Sequence, residues 1–395
     1  MVGRVRVGVI GCGVAAWTGH LPWIWEHPDA TLAAVCDSSR DRALQAQSRY
    51  GAGFATTDFR ELLSRDDVDA VCVCTPPGSH AEIATAAAER GKHILLEKPM
   101  ARSAAECESL IATARAHGVL LMLGHEKRFH PACQKIRSIV SSGALGRVYY
   151  LVVHWGSSVK LDPERLIPEG YRENYQWRWK DPSVGGGILQ DHLPHYVDLW
   201  RWWTGSEVAT VCTEAQNVTR DYLGNREIGL WEDFCTVLMR FQDGTVGSFE
   251  TGTVGRGLSP ILHNGSGLGE WSEFGYLYGT RGQLAFDFPP WDSPEQGRIM
   301  VWSLEDKRPS DRGWYQVEMP EPLRSPGGPR SPGTNESFMF RRQIDHFVRS
   351  IREGTAPRVT GDDGRATLAV VEAAYESQRT GQKVAVRSPS AGASR

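Results

Sequence analysis

The sequence lacks any strong excess of charge, because 44 lysines and arginines face 47 aspartates and glutamates among 395 residues, for a net charge of −3. This balance leaves no basic surface for nucleic acid or for an acidic membrane, so we expect neither partner. The sequence also lacks a run of about eighteen apolar residues, the length that a membrane-spanning helix needs. The opening MVGRVRVGVIG does not have the pattern of a signal peptide, and we expect a cytoplasmic protein.

Cysteine motifs typical of metal or redox centres are also missing. The eight cysteines lie mostly in the first third of the chain, at Cys12, Cys36, Cys72, Cys74, Cys107, Cys133, Cys212 and Cys235. Cys72 and Cys74 share one face of a predicted strand but form no CxxC pair. We therefore expect all eight to be reduced core residues in a reducing compartment.

Strands and helices alternate through the first 125 residues. Apolar strands are predicted at residues 4–10, 31–37, 68–77, 92–99 and 119–125. Helices are predicted between them at residues 41–51, 79–90 and 103–118. This alternation is typical of a doubly wound parallel sheet, which we expect to form a first domain over residues 1–125.

The pattern changes at residue 126. Strand-like segments then follow one another, mostly without helices between them, which indicates a mainly antiparallel sheet. Two helices come near the end of the chain. We expect a second, α+β domain over residues 126–385, whose last helices pack back toward the first domain, and a flexible tail at residues 386–395.

A glycine-rich motif joins the first strand to the first helix. Gly11, Gly13 and Ala16 form GxGxxA, in which the first glycine allows a tight turn and the second lets a pyrophosphate approach the backbone. The phosphates would lie at the helix N-terminus, where unpaired N–H groups favour an anion. We therefore predict a dinucleotide-binding Rossmann domain. The residues predicted to contact the cofactor here are Gly11, Cys12, Gly13, Val14 and Ala15.

The choice of cofactor depends on Asp37, which ends the second strand. An acid at this position accepts hydrogen bonds from the adenosine ribose and repels a 2′-phosphate, so it favours NAD. Ser38 and Arg40 follow, and the arginine can pair with a 2′-phosphate, which leaves NADP possible. Asp37 can also cap the next helix, and the two roles are compatible.

The segment GGGILQDHLPH, residues 185–195, places an acid and two histidines after three glycines. Asp191 lies four residues before His195, so the two side chains share one face of a helix. Because proline is tolerated only in a first turn, Pro194 predicts a helix that begins near residues 190–192. The glycines favour a backbone without side chains that approaches a nicotinamide ring.

Six segments match the motifs of a known family. They are GVIGCGVAAWTGHLPWIWEHPDATLAAVCD, CTPPGSH, LLEKPM, GHEKRFHPA, GGGILQDHLPHYVD and GDDGRATLAVVEAAYESQRTGQKV. In this order and spacing they resemble the Gfo/Idh/MocA oxidoreductases. The resemblance implies an N-terminal Rossmann domain and a C-terminal domain with a large, mainly antiparallel sheet. It also implies hydride transfer between nicotinamide and a hydroxyl carbon of a sugar or polyol, and homodimers or homotetramers formed through that sheet.

The resemblance extends the predicted cofactor site to two more segments. The segment that lines the dinucleotide corresponds here to Thr75, Pro76 and His80. Glu97 corresponds to a residue near the nicotinamide ribose, and Lys98 to the lysine of the EKP motif, beside the cofactor and the reacting oxygen. By the same resemblance, the bond that follows Lys98 is a candidate cis-proline peptide.

The same resemblance makes Asp191 and His195 the acid and the histidine of the catalytic helix. Histidine titrates near neutral pH and can take the hydroxyl proton, while the Lys98 ammonium would stabilise negative charge on the oxygen. Asp191 can bind the hydroxyl or orient the imidazole. His192 is an unusual residue at its position, and it can contact the substrate or cap the helix. Asp191 and the two histidines also resemble a metal cluster, but no further ligand pattern accompanies them, so we predict no metal.

An aromatic segment precedes that helix. Tyr171, Trp177 and Trp179 can pack against the C–H faces of a sugar ring or simply fill space between helix and sheet. Arg128 can reach the substrate or tie the two domains together. His263 lies in a long glycine-rich loop, a type of loop that is often functional or part of an oligomer contact.

Three functions are compatible with these patterns. The first is an NAD-dependent dehydrogenase or reductase of a sugar, sugar derivative, glycoside or cyclitol. The second is a redox-neutral enzyme that cleaves or epimerises glycosides through a keto intermediate with tightly bound NAD, for which His192 and Tyr171 are the spare acid–base groups. The third is a regulator that binds nucleotide without catalysis, against which Lys98, Asp191 and His195 argue.

Overall fold

The computed structural model describes residues 3–157, 186–222, 231–253, 271–288, 297–304, 313–319 and 338–387. By contacts these residues divide into two units. The first contains residues 3–129 and 338–368, and the second contains the described residues of 130–319 and 369–387. The domain boundaries stated above stay a prediction.

The first unit contains a parallel sheet. Its strands are β1 Val5–Ile10, β2 Ala30–Cys36, β3 Phe54–Thr56, β4 Ala70–Val73, β5 His93–Glu97 and β6 Leu121–Gly124. Among the residues described they form one six-stranded sheet in the order β3-β2-β1-β4-β5-β6. The order reverses between β1 and β4, and ligands of such sheets bind beyond the carboxyl ends of the strands at this point.

Helices connect these strands and continue into the second unit. Their bounds are α1 Leu21–Glu26, α2 Arg40–Tyr50, α3 Phe59–Leu63, α4 His80–Glu89, α5 Ala104–Ala116, α6 Pro131–Ser141, α7 Ile188–Thr204, α8 Val218–Asp221, α9 Phe338–Glu353 and α10 Gly361–Thr380. A π-helical turn, Ala16–His20, leads from the glycine motif into α1. Helix α2 starts after the Ser39 cap and ends at Gly51, whose positive φ closes the last turn.

The second unit contains a larger sheet. Its strands are β7 Val148–Ser157, β8 Val208–Gln216, β9 Phe234–Phe241, β10 Val246–Gly252, β11 Trp271–Gly279, β12 Gly282–Phe288, β13 Arg298–Ser303, β14 Trp314–Gln316 and β15 Val384–Ala385. The nine described strands run in the order β14-β13-β12-β11-β7-β10-β9-β8-β15. Among the described strand pairs of this second sheet, only β7 and β10 run parallel.

Helix α7 covers one face of this sheet. Its Tyr196 and Trp200 are fully buried. The ring centroid of Tyr196 lies 5.7 Å from that of Phe249 in β10, and the ring centroid of Trp200 lies 6.4 Å from that of Phe241 in β9. These contacts place the core of the unit between α7 and strands β9 and β10. The predicted fold class is confirmed: an N-terminal Rossmann doubly wound parallel sheet precedes a C-terminal α+β domain with a large, mainly antiparallel sheet.

Two further expectations meet the structure here. Seven cysteines are buried, but Cys212 is exposed, so the prediction of eight core cysteines is wrong for this one. Side chains alternate along β8, and buried Val211 and Thr213 leave Cys212 on the outward face. Among the helices that the structure describes, none has both the length and the apolar character required to cross a bilayer.

Candidate active site

The glycine motif after β1 leaves space for a pyrophosphate. Gly11 has a φ of +92°, and a Cβ there would lie 2.7 Å from the carbonyl carbon of Cys74, so the close approach of β1 to β4 requires glycine. A Cβ on Gly13 would meet no heavy atom of the described residues within 4 Å. The Trp17 N–H donates to the Gly13 carbonyl at 3.1 Å, where the helix begins. This open backbone at a helix N-terminus fits the phosphates of a dinucleotide.

Asp37 is buried beside this motif. Its Oδ2 accepts the Cys12 N–H at 2.8 Å, and its Oδ1 accepts the Ser39 N–H at 2.8 Å. The Arg42 Nε donates to the same Oδ1 at 3.0 Å. Asp37 therefore orders the start of α2 and also contacts the cofactor loop, and its contact with the adenosine ribose stays a prediction.

A buried contact between a histidine and a glutamate that we did not anticipate lies at the end of β5. The Nε2 of His20 is 2.7 Å from Oε1 of Glu97, and both residues are buried. Burial raises the pKa of Glu97, but the hydrogen bond and charge of His20 and the charge of Lys98 outweigh it, and the pKa is lowered overall. Glu97 is therefore ionised next to the predicted catalytic lysine.

The peptide that carries Lys98 is braced by His80. The Lys98–Pro99 bond is cis, as the resemblance implies. The His80 ring is buried, with Nδ1 2.8 Å from the Pro99 carbonyl and Nε2 2.7 Å from the Thr75 carbonyl. Burial lowers the pKa of His80, against the raising effect of the two carbonyls. His80 thus joins the ends of β4 and β5 and positions the backbone on both sides.

Exposure separates the predicted cofactor residues into two groups. Those with accessible side chains or backbone are Gly13, Val14, Ala15, Ser38, Arg40, Thr75, Pro76 and Lys98. Those that are buried are Gly11, Cys12, Asp37, His80 and Glu97. The accessible group can touch a cofactor directly, and the buried group fixes the backbone and the charge behind it. Individual contacts with NAD stay predictions.

Glu126, two residues after β6, is a second buried acid at this edge of the sheet. Only 6 % of it is exposed. Burial and, next, the negative charge of Glu97 raise the pKa of Glu126 to about 7, although Lys98 and Lys127 lower it. This carboxyl group therefore holds a proton close to neutral pH, the range in which general acids and bases work.

Arg128 has structural partners within the first unit. It donates to the Arg358 carbonyl at 2.9 Å and to Oδ1 of Asp363 at 2.9 Å, and it is buried. These bonds tie the segment after β6 to the first turn of α10. A substrate contact of Arg128 stays a prediction.

The helix that carries the predicted catalytic acid and histidine starts earlier than expected. Helix α7 begins at Ile188 and contains Pro194, so the prediction of a start near residues 190–192 is wrong. Proline lacks an N–H and weakens the turn that precedes it. In this protein the first turn is held from outside the helix, and it forms ahead of the proline.

Glu232 supplies that external support. Its Oε1 accepts the N–H groups of Gly187 at 3.0 Å and Leu189 at 3.1 Å, and the hydroxyl of Tyr375 at 2.8 Å. A Cβ on Gly187 would lie 2.2 Å from the Glu232 carbonyl oxygen, and one on Gly186 would lie 2.1 Å from the Tyr375 hydroxyl. Two of the three glycines thus let this cap approach the helix start, and a role of the glycines beside nicotinamide stays a prediction.

His192 is held by two neighbours. Its ring stacks on Trp155, with centroids 3.8 Å apart and planes inclined by 10°, and its Nδ1 lies 2.7 Å from Oγ1 of Thr251. Its Nε2 is 4.0 Å from Oδ2 of Asp191. Among the described residues no cluster of three or more histidine, cysteine or acidic side chains is arranged to hold a metal ion.

His195 and Asp191 lie in the first two turns of α7. His195 is 7 % exposed, and its ring meets the edge of Trp155 at 5.5 Å with an angle of 66°. The Asp191 side chain is 28 % exposed. Trp155 therefore contacts both histidines of this helix. Tyr171, Trp177, Trp179 and His263 lie outside the described residues.

Three residues of these clusters were missed by the sequence-based predictions. His20 and Glu126 lie inside quoted motifs, and the available signal was a polar residue at the boundary of an apolar run, before residues 21–25 and after residues 119–123. For Glu232 no local signal exists, because it lies 45 residues from Gly187.

Comparison with known proteins agrees with these features. The sequence model of the Gfo/Idh/MocA oxidoreductase family, NAD-binding Rossmann fold, matches residues 5–125, and that of the family's C-terminal alpha/beta domain matches residues 137–386. Levoglucosan dehydrogenase of Pseudarthrobacter phenanthrenivorans is 27 % identical over 402 residues, covering 95 % of this chain and 96 % of the relative.

Two further proteins are similar over nearly the whole length. Myo-inositol 2-dehydrogenase of Thermotoga maritima is 25 % identical over 380 residues, covering 94 % of this chain and 96 % of the relative. The crystal structure of an oxidoreductase domain protein from Kribbella flavida has a TM-score of 0.78 at 28 % identity, covering 98 % of this chain and 100 % of that one. The chain belongs to the Gfo/Idh/MocA family and is an oxidoreductase with an NAD-binding Rossmann domain.

Proposed function

We propose that the enzyme transfers a hydride between nicotinamide and a hydroxyl carbon of a sugar, sugar derivative, glycoside or cyclitol. Two of the relatives aligned over at least 94 % of this chain are named for myo-inositol and levoglucosan. Both compounds present ring hydroxyl groups. The proposal therefore extends the shared reaction to this chain and leaves the particular ring open.

The observation that carries the proposal is the placement of His195. It is an ionisable side chain, 7 % exposed, in the first turns of a helix whose buried side chains are mostly apolar. Perturbed or buried titratable groups of this kind are more frequent at functional sites. In the proposal, bound NAD accepts or gives the hydride, and His195 takes the proton of the substrate hydroxyl as general base.

Lys98 and Asp191 assist in this proposal. The Lys98 ammonium stabilises negative charge that develops on the reacting oxygen. Its backbone is braced because Glu97 accepts the Lys98 N–H at 3.2 Å and His80 contacts the next carbonyl, which favours a fixed position for that charge. Asp191 binds the hydroxyl or orients the imidazole of His195.

We also propose which residues bind the substrate. The set consists of Lys98, Arg128, Tyr171, Trp177, Trp179, Asp191, His192 and His195. His192 is held on two sides, because its ring stacks on Trp155 and its Nδ1 lies 2.7 Å from Oγ1 of Thr251. A fixed imidazole edge favours hydrogen bonding to one hydroxyl of a ring rather than general acid–base work.

The test is a screen of sugars, polyols, glycosides and cyclitols with NAD and NADP, following the absorbance of the reduced nicotinamide. Cofactor released from the purified protein by denaturation is measured first. Reduction of added NAD by one of these compounds is the expected result. Tightly bound cofactor together with product formation, without net reduction, would support the redox-neutral alternative. Failure of every ring alcohol and of its ketone in the reverse direction would contradict the proposal.

We propose further that copies of the chain associate through the second sheet. The face of that sheet opposite α7 carries an aromatic row, with Tyr150 5.8 Å and Tyr276 6.0 Å from Tyr278. Leu238, on the same face, is 49 % exposed. A homodimer or homotetramer would cover these groups. Light scattering should show that Leu238→Glu dissociates the oligomer. The control Tyr222→Glu, outside the sheet, should keep the wild-type mass. An unchanged mass in both variants contradicts this face as the interface.

A further inference from the structure

Four consecutive polar or charged residues are buried directly after β6. His125, Glu126, Lys127 and Arg128 are each at most 8 % exposed. Acidic and basic side chains are rarely buried to this extent unless they are paired or serve a function. The guanidinium of Arg128 is bound to Asp363, as described above. The proposed function, however, makes no use of Glu126.

The backbone that carries Glu126 is held in place. A 3₁₀ turn begins at this residue and ends at Phe129. The N–H of Arg128 donates to the carbonyl of His125 at 3.1 Å. The ring centroid of Phe129, a residue that is 1 % exposed, lies 5.5 Å from that of His346 in α9. Glu126 therefore starts a turn that is fixed by its own hydrogen bond and by packing on α9.

This turn follows the strand that lies beside Glu97 and Lys98. Glu97 is in register with Gly124, the last residue of β6. A Cβ on Gly124 would lie 3.1 Å from Oε1 of Glu97, so the carboxylate lies against the end of β6. The charges of Glu97 and Lys98 both act on Glu126. Two acids and one lysine thus form a cluster at this edge of the sheet.

The two acids of the cluster carry different charges. Burial opposes the ionisation of Glu97, but the hydrogen bond of His20 and the charges of His20 and Lys98 lower its pKa overall. Burial and, next, the charge of Glu97 raise the pKa of Glu126 to about 7. Below neutral pH, Lys98 therefore has one carboxylate and one neutral carboxyl group as neighbours. Above neutral pH it has two carboxylates.

We propose that Glu126 is a positioning residue for Lys98. While Glu126 is neutral, the ammonium of Lys98 keeps the charge that the proposed function places beside the reacting oxygen. Once Glu126 is ionised, two carboxylates hold that ammonium and offset its charge. The inference rests on the proposed place of Lys98 beside the oxygen and the nicotinamide, but on no particular substrate.

An ionised Glu126 also changes the preference between the two forms of the cofactor. The nicotinamide ring is positively charged in oxidised NAD and neutral in NADH. A carboxylate next to Lys98 offsets the repulsion between the ammonium and a positive ring, and it has little effect on a neutral ring. Oxidised NAD should therefore bind more tightly, relative to NADH, above neutral pH.

Other titratable groups surround the cluster. They are His20 and His80, which act on Glu97, His125 and Lys127 in the segment of Glu126 itself, and His346 in α9. Burial and, next, the charge of Arg358 lower the pKa of His346 to about 4, so this ring is neutral in the relevant range. An ordinary histidine titrates near neutral pH, so a variant of Glu126 is needed to assign the effect.

The first test measures dissociation constants of oxidised NAD and NADH by calorimetry, without substrate. Between about pH 6 and about pH 8, the wild-type preference for oxidised NAD should rise by about threefold or more. In Glu126→Gln, which keeps the shape of the neutral acid, this rise should be lost. Glu89→Gln, at the exposed end of α4, is the matched control and should keep the wild-type change.

The second test is the pH profile of alcohol oxidation on the substrate that the screen identifies. An ionised Glu126 disfavours both the loss of the hydroxyl proton and the reduction of a positive ring. Wild-type kcat/KM should therefore fall above neutral pH, and Glu126→Gln should remove that fall while it keeps the rise that a histidine base produces.

The remaining outcomes oppose the proposal. A wild-type preference that is the same at both pH values would overturn it without any variant. A rise that persists in Glu126→Gln would assign the titration to another group, such as His20 or His195. Equal weakening of both dinucleotides, with the wild-type pH dependence kept, would show that Glu126 only supports the fold. Because the first test uses no substrate, a failed substrate screen leaves its result interpretable.

Discussion

The two units hold their polar residues in different ways. In the first, Glu97 and Lys98 lie at the end of β5, where the ring of His80, from the start of α4, contacts two backbone carbonyls and His20 contacts Glu97. In the second, the indole of Trp155 contacts both histidines of α7, and Glu232 caps the first turn of that helix. The first arrangement lies at the edge of the sheet that the strand order predicts as a binding edge, whereas the second depends on side-chain packing and on a cap that no local pattern announces.

The largest effect is expected at His195. His195→Ala should lower kcat by about 10²- to 10⁴-fold, because a general base is lost, while the NADH dissociation constant stays within about twofold. Steady-state kinetics and a cofactor titration check both parts. The matched control is His154→Gln, on the opposite face of β7 from Trp155, which should keep wild-type turnover. Wild-type turnover in His195→Ala would show that His195 is not the general base.

The next largest effect is expected at Glu232, which caps the first turn of α7. Glu232→Ala leaves the N–H groups of Gly187 and Leu189 and the Tyr375 hydroxyl without their acceptor, so we expect a loss of about 3 kcal/mol in the free energy of unfolding. Denaturant titration measures it. Tyr375→Phe removes only one of the three donors and should cost about 1 kcal/mol. Equal stabilities of wild type and Glu232→Ala would show that α7 needs no external cap.

The buried carboxyl group of Glu126 should make the free energy of unfolding depend on pH. Its pKa is about 7 in the fold, against 4.5 for an ordinary glutamate, so the folded chain keeps a proton that the unfolded chain releases. The free energy of unfolding should therefore fall as pH rises from 4.5 to 7, by up to about 3 kcal/mol from this group.

Glu126→Gln should abolish that contribution. The variant should match the wild type at low pH and be the more stable protein at pH 8, in denaturant titrations at several pH values. A variant with the same slope as the wild type across this window would show that Glu126 is ionised throughout.

The smallest effect is expected at the hydrogen bond of His192. Thr251→Val removes the hydroxyl 2.7 Å from its Nδ1 and should cost about 1 kcal/mol, because the imidazole is buried. Thr236→Val, on the neighbouring strand β9, changes the same groups without touching His192. If both variants unfold alike, stacking on Trp155 alone positions the ring.

The sequence predicts the first unit better than the second for a physical reason. Buried parallel strands are continuous apolar runs, and the glycine motif and Asp37 have fixed places at their ends, so both were identifiable. Strand β3 and helix α3 escaped prediction because three and five residues are too short to show a period.

The contacts around α7 lie beyond local patterns. Pro194 suggests a later helix start, and only the tertiary contact with Glu232 explains why α7 begins at Ile188. Trp155 reads as an ordinary apolar residue of β7, although it contacts both His192 and His195. Tertiary packing overrides local preference in such places.

The proposed function assigns Lys98 and His195 to one chemical step. A double-mutant cycle in kcat/KM, with Lys98→Ala, His195→Ala and the double variant, tests it on the substrate that the screen identifies. We predict that the double variant loses little more activity than the worse single variant, because both groups stabilise the same transition state. Losses that multiply would show that the two residues act independently and would contradict the account.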